Sequence, residues 1–165
     1  MARGDLLLFH NSGAWYDRII VAATSGGNRA ADYVHAAIDL GDGTILEAVS
    51  AGIRVSYFHV DDRDRSERVT LKVAEPHRLE LALNMALDRV GNRYGWVDIF
   101  DQFLKLLHCP FYVGRLHSLD CSDLAAMYAA VATDDFPLLE SVLDARQQIS
   151  PNDLARHFGV ILRDG

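Results

Sequence analysis

The hydrophobic periodicity changes near residue 76, and that change constrains the fold more than any other feature of the chain. Before it, short apolar runs are interrupted by glycine and aspartate; after it, apolar residues recur at helical spacing. Residues 6–9 form a run after Gly4-Asp5, residues 33–40 and 44–49 flank Gly41-Asp42-Gly43, and residues 69–73 follow a charged stretch, so four strands are predicted there. Residues 15–23 have room for a helical turn or two. From Pro76 onward, Leu79, Leu83, Ala86, Leu87 and Val90 mark one helix face, with Pro76 suited to the first turn and Gly91 to the stop. Trp96, Ile99, Phe100, Phe103 and Leu107 repeat that spacing as far as Pro110. Leu124, Ala125, Tyr128 and Val131 mark a further helix beginning near Cys121, and Ser150-Pro151 predicts a last one, the serine as cap and the proline in the first turn. Strands followed by helices predict an α+β fold with a mainly antiparallel sheet packed against helices.

The 165 residues, 50% hydrophobic and 24% charged, fit one domain over 1–165, large enough to fold without disulfide staples. Sixteen Lys plus Arg against 23 Asp plus Glu give a net charge of −7, and the basic residues are scattered, which argues against nucleic acid as a partner. No apolar run approaches the roughly 20 residues that span a bilayer, so no integral membrane segment is expected. Met1-Ala-Arg-Gly-Asp5 does not read as a signal peptide, and with only two cysteines this suggests a reducing, cytoplasmic compartment. Cys109, His117 and Cys121 lack the paired spacing of structural zinc ligands, and Ser25-Gly26-Gly27-Asn28 lacks the Gly-Lys-Ser/Thr ending of a phosphate loop. Neither metal nor cofactor is expected. The charge run over 61–68 reads as a solvated turn.

Three reactive residue types stand where local structure makes them useful: His35, Glu47 and Cys121. In Leu119-Asp120-Cys121-Ser122-Asp123-Leu124, either Asp120 or Ser122 is a cap that leaves the sulfur in a helix's first turn. Free N–H groups and the helix dipole favour a thiolate there, and the same N–H groups suit an oxyanion. A buried core cysteine is the plainer alternative. A thiolate nucleophile needs a base, and of the seven histidines His35 alone lies inside a clear strand followed directly by a partner strand. Glu47 interrupts an apolar strand, so its carboxylate needs solvent or a partner. A two-residue Asp42-Gly43 loop would set Ile38 opposite Glu47 and part it from His35. A three-residue Gly41-Asp42-Gly43 loop with Gly43 left-handed sets Ala37 opposite Glu47, making His35 and Glu47 diagonal neighbours on one face. The glycine at the third position favours this second register, in which Glu47 fixes the imidazole tautomer.

The run from His35 through Gly41-Asp42-Gly43 to Glu47-Ala48 resembles the histidine strand, Gly-rich turn and polar third residue of the NlpC/P60 family. Arg93-Tyr94-Gly95-Trp96 ahead of Asp120-Cys121-Ser122 resembles its tyrosine-containing approach to an Asp-Cys-Ser nucleophile motif. The order here is His35, Glu47, Cys121, similar to the circularly permuted branch that holds the YiiX/YaeF-like proteins and the lecithin retinol acyltransferase relatives. Gly4-Asp5 and Ser150-Pro151-Asn152-Asp153-Leu154 are similar to the opening strand and closing helix of the YiiX-like group. The resemblance implies a papain-like, circularly permuted fold and a cysteine peptidase or amidase. Cys121 would be the nucleophile, His35 the base, Glu47 its orienter and Tyr94 a second oxyanion donor. It also implies a peptide or acyl-containing small substrate, such as a bacterial cell-wall stem peptide. A lipid acyl hydrolase or acyltransferase, its apolar entrance supplied by residues 103–111, and a non-catalytic binding module stay open beside it.

Overall fold

The computed structural model describes residues 3–13, 32–59, 63–92, 120–143 and 149–160. Five strands form one antiparallel sheet: β1 (Leu6–His10), β2 (Tyr33–Gly41), β3 (Thr44–Val49), β4 (Gly52–Tyr57) and β5 (Ser66–Val69), in the spatial order β4-β3-β2-β1-β5. Among the described residues four helices follow: α1 (Pro76–Leu87), α2 (Cys121–Thr133), α3 (Phe136–Leu143) and α4 (Pro151–His157). The chain is thus α+β with an antiparallel sheet, as the change of periodicity predicts. No helix of the described residues is long and apolar enough to cross a membrane.

Alternation along the strands divides the sheet into two faces. Leu6, Leu8, Ala36, Ile38, Leu46, Ala48 and Ile53 join the main core with Ala82, Leu83 and Ala86 of α1 and Leu124, Ala125 and Tyr128 of α2. Each fully buried aliphatic side chain there contributes about 1.5–3 kcal/mol. On the other face Leu7, Ala37, Ile45 and Phe58 form a smaller cluster with Phe9 against it. The Tyr128 hydroxyl donates to the Gly4 carbonyl at 2.7 Å, joining the core of α2 to the lead-in of β1. Asn152, fully buried on α4, accepts from the Tyr33 N–H and donates to the Tyr33 carbonyl, both at 3.1 Å. Its amide continues the pairing of β2 where the strand begins.

Several expectations need correction. The fourth expected strand, over 69–73, shares only Val69 with β5, which runs over Ser66–Val69. Glu67 and Arg68, read as part of a solvated turn, pair with Leu8 and Leu7 of β1, because an edge strand hydrogen-bonds through its backbone while charged side chains face water. Neither β4 nor α3 is among the expected elements. β4 is an edge strand whose Val55 and Tyr57 are exposed, so its core-facing signal is faint. Helix α3 starts after Asp135, whose carboxylate accepts from Leu138 N at 3.0 Å. Helix α1 ends at Leu87, a turn before Gly91, and Val90 lies exposed beyond it. The predicted elements at 15–23 and from Trp96 to Leu107 lie outside the described residues.

Candidate active site

The hairpin between β2 and β3 sets the site, and Ala37 stands opposite Glu47 as the favoured register requires. The turn achieves this by a different route from the expected one. Asp42 and Gly43 form a two-residue loop with φ of 53° and 76°, the positive pair that a type I′ turn needs. Gly41 pairs with Thr44, and a bulge between Asp39 and Gly41 takes up one residue, with Gly41 itself at φ 82°. A two-residue loop alone would part His35 from Glu47; the bulge restores the register.

His35 and Glu47 therefore meet, with Nε2 of the ring 3.1 Å from Glu47 Oε2. The other carboxylate oxygen is fully engaged. Glu47 Oε1 accepts from Arg54 Nε at 3.1 Å, Arg54 Nη2 at 3.0 Å and the Ser56 hydroxyl at 2.6 Å. Arg54 is the cross-strand partner of Glu47 on β4. These two residues, absent from the sequence-based set, were signalled only by a polar residue at every second position of Gly52-Ile53-Arg54-Val55-Ser56-Tyr57. Burial alone would raise the Glu47 carboxyl, but hydrogen bonds from His35, Ser56 and Arg54 outweigh it and hold the group at about 2. Glu47 stays an anion at any ordinary pH.

A second bulge precedes His35. Phe9 pairs with His35 while His10 pairs with Tyr33, so Val34 is the extra residue, and bulges of this kind re-aim neighbouring side chains. The Phe9 ring packs on the imidazole with centroids 5.3 Å apart. Cys121 occupies the first position of α2, close enough to His35 for its sulfur to favour the protonated imidazole. With Nε2 given to Glu47, Nδ1 is the nitrogen left for proton transfer. Burial opposes charge on His35, yet Cys121 and Glu47 together win and raise the imidazole to about 10. His35 is thus an imidazolium paired with Glu47. Cys121 is buried, at 6% exposure, whereas the His35 side chain keeps 23% of its surface open.

The α2 cap is Asp120, not Ser122. Its carboxylate accepts from the N–H groups of Ser122 and Asp123, both at 2.8 Å, so those two donors are taken and the Cys121 N–H is the one outside the cap. The oxyanion donors expected at this helix end reduce to that group. Tyr94, His108, Cys109 and His117 lie outside the described residues. The other described histidines stand elsewhere: His10 by Glu67, His77 by Glu75, His157 by Asp135, and His59 exposed. Three of the four sequence-predicted site residues are therefore brought together, in an arrangement able to take a proton from a thiol and return it to a leaving group. Comparison with models of known protein families, with curated proteins and with solved structures finds no match.

Proposed function

We propose that this chain is a cysteine hydrolase that cleaves an amide bond through a Cys121-His35-Glu47 triad, on a papain-like fold of the circularly permuted NlpC/P60 type. The observation that carries this reading is one imidazole paired with a carboxylate at 3.1 Å and raised in proton affinity by a sulfur that starts a helix. The Cys121 thiolate attacks the scissile carbonyl, forming a C–S bond and an oxyanion that the Cys121 N–H helps to hold, with Tyr94 as the second donor. As the tetrahedral species collapses, the C–N bond breaks and the leaving amine takes the proton from His35. Water then attacks the thioester, His35 accepts its proton, and the acid product leaves with the thiolate restored. Glu47, held by Arg54 and Ser56, keeps the ring in one tautomer and one orientation. The family resemblance supports a peptide substrate, and a cell-wall stem peptide is the proposed example.

Wild type and Cys121→Ala should be profiled against peptidoglycan fragments, acyl esters and lipids. A cleaved amide product that falls by about 10⁴-fold or more in the variant supports the reading. Cysteine-dependent release from esters or lipids alone transfers the site to the acyl hydrolase class. No product from either protein, with iodoacetamide labelling Cys121 no faster than an ordinary thiol, overturns catalysis and leaves a binding module.

A further inference from the structure

The register of the sheet places a second feature on the same face as His35 and Glu47. Residues directly opposite across neighbouring strands point to the same side. One row runs Arg68, Leu7, Ala37, Glu47, Arg54 from β5 to β4, and the next runs Ser66, Phe9, His35. A cavity of about 320 Å³ lies at the β5 end of these rows, lined by Leu7, Phe58, Arg63, Ser66 and Arg68. Phe9 separates it from the site: its ring packs against His35 on one side and against Phe58, with centroids 6.3 Å apart, on the other.

The chemistry of this lining is specific. Among the described residues its charged side chains are two arginines, in a chain whose net charge is −7. Arg68 is anchored by two buried carboxylates, Nη1 to Asp5 Oδ2 and Nη2 to Asp39 Oδ2, each at 3.5 Å. Those carboxylates offset the charge of Arg68, and Arg63, which is exposed and makes no ion pair among the described residues, supplies the second cation. Leu7 and Phe58 give an apolar floor, and Ser66 a hydroxyl. Guanidinium groups over an apolar floor fit a carboxylate on a short aliphatic arm. The volume leaves ample room for such a group.

We infer that this cavity is a substrate subsite that holds a carboxylate about three residues from the scissile amide. The spacing follows from the sheet. Ser66 lies two strand spacings from His35, roughly 10 Å, and an extended peptide advances about 3.3–3.6 Å per residue. The assignment rests on the hydrolase reading for the position of the scissile bond. The substrate class it defines is an acidic peptide.

The test measures binding with the nucleophile removed. Cys121→Ala protein is titrated calorimetrically at low ionic strength with three tetra-alanine probes: N-succinyl with a C-terminal amide, N-acetyl with a free C-terminal acid, and N-acetyl with an amide. One of the two acids should bind at least about tenfold tighter than the neutral probe, and which one tells whether the carboxylate comes from the acyl or the leaving side. That preference should fall to threefold or less in Cys121→Ala/Arg63→Gln, with the neutral probe unaffected. Arg63 is exposed and outside the core, so this variant folds even where an Arg68 variant would strand two buried carboxylates. Equal or undetectable binding of all three probes, or a preference that survives Arg63→Gln, overturns the subsite. Tight, Arg63-dependent binding of an acid that the wild type fails to cleave overturns the hydrolase reading instead.

Discussion

Removing the sulfur of Cys121 should loosen the proton on His35. The ring is raised from 6.5 to about 10, against a burial that favours its neutral form, by the charge and hydrogen bond of Cys121 and then by those of Glu47. A rise of that size corresponds to about 5 kcal/mol in favour of the imidazolium. Cys121 supplies the two largest favourable contributions. In Cys121→Ala burial persists and Glu47 acts alone, so more than half of the gain is lost. The proton affinity of His35 should drop by more than about tenfold, which brings its titration toward neutrality. The assay is an NMR pH titration of the histidine Cε1–Hε1 signals, with His35 assigned by the resonance lost in His35→Gln. A His35 signal that titrates within about 0.3 pH of the wild type in Cys121→Ala would refute the influence of the sulfur on the ring and, with it, the active-site geometry.

Two further outcomes follow from the same structure. Glu47 is held at about 2, below its ordinary 4.5, so its stabilisation is fully present above pH 4.5 and is lost as pH falls through 2. The melting temperature of the wild type should therefore fall more steeply between pH 4.5 and 2 than that of Glu47→Gln, followed by circular dichroism; parallel slopes would show that Arg54, Ser56 and His35 do not hold this carboxylate. Gly52 has φ 119°, and a Cβ there would sit 2.7 Å from the Asn92 carbonyl oxygen, whose bond from Ile53 N ties the end of α1 to β4. Gly52→Ala should cost about 2 kcal/mol in denaturant unfolding, and a loss under 0.5 kcal/mol would mean that the contact yields freely.

The α+β order, helix α1 from Pro76, helix α2 from Cys121 under a cap of Asp120 or Ser122, and the Ser150-Pro151 start of α4 were legible in the chain, whereas the choice of Asp120 and the part of Asp153 in the Ser150 capping box came from the structure. Each depends on groups within a few residues of one another, whose periodicity, φ preference or N–H satisfaction is written locally. The meeting of His35 and Glu47 was legible too, though for a partly mistaken reason: the residues at 41–43 carry turn chemistry, but the choice between a three-residue loop and a type I′ turn with a bulge belongs to the whole strand pair.

What the chain alone determined is which reactive groups exist and which local frame each one occupies. Tertiary structure decided their partners. Arg54 and Ser56 reach Glu47 because β4 docks at the sheet edge, and Cys121 reaches His35 because a helix from late in the chain packs on β2. The carboxylates of Asp5 and Asp39 converge on Arg68 across three strands. The reason is physical. Local propensities act over a turn of chain, whereas the charge state of a buried side chain is set by whatever folding brings within a few ångströms of it, however distant in sequence.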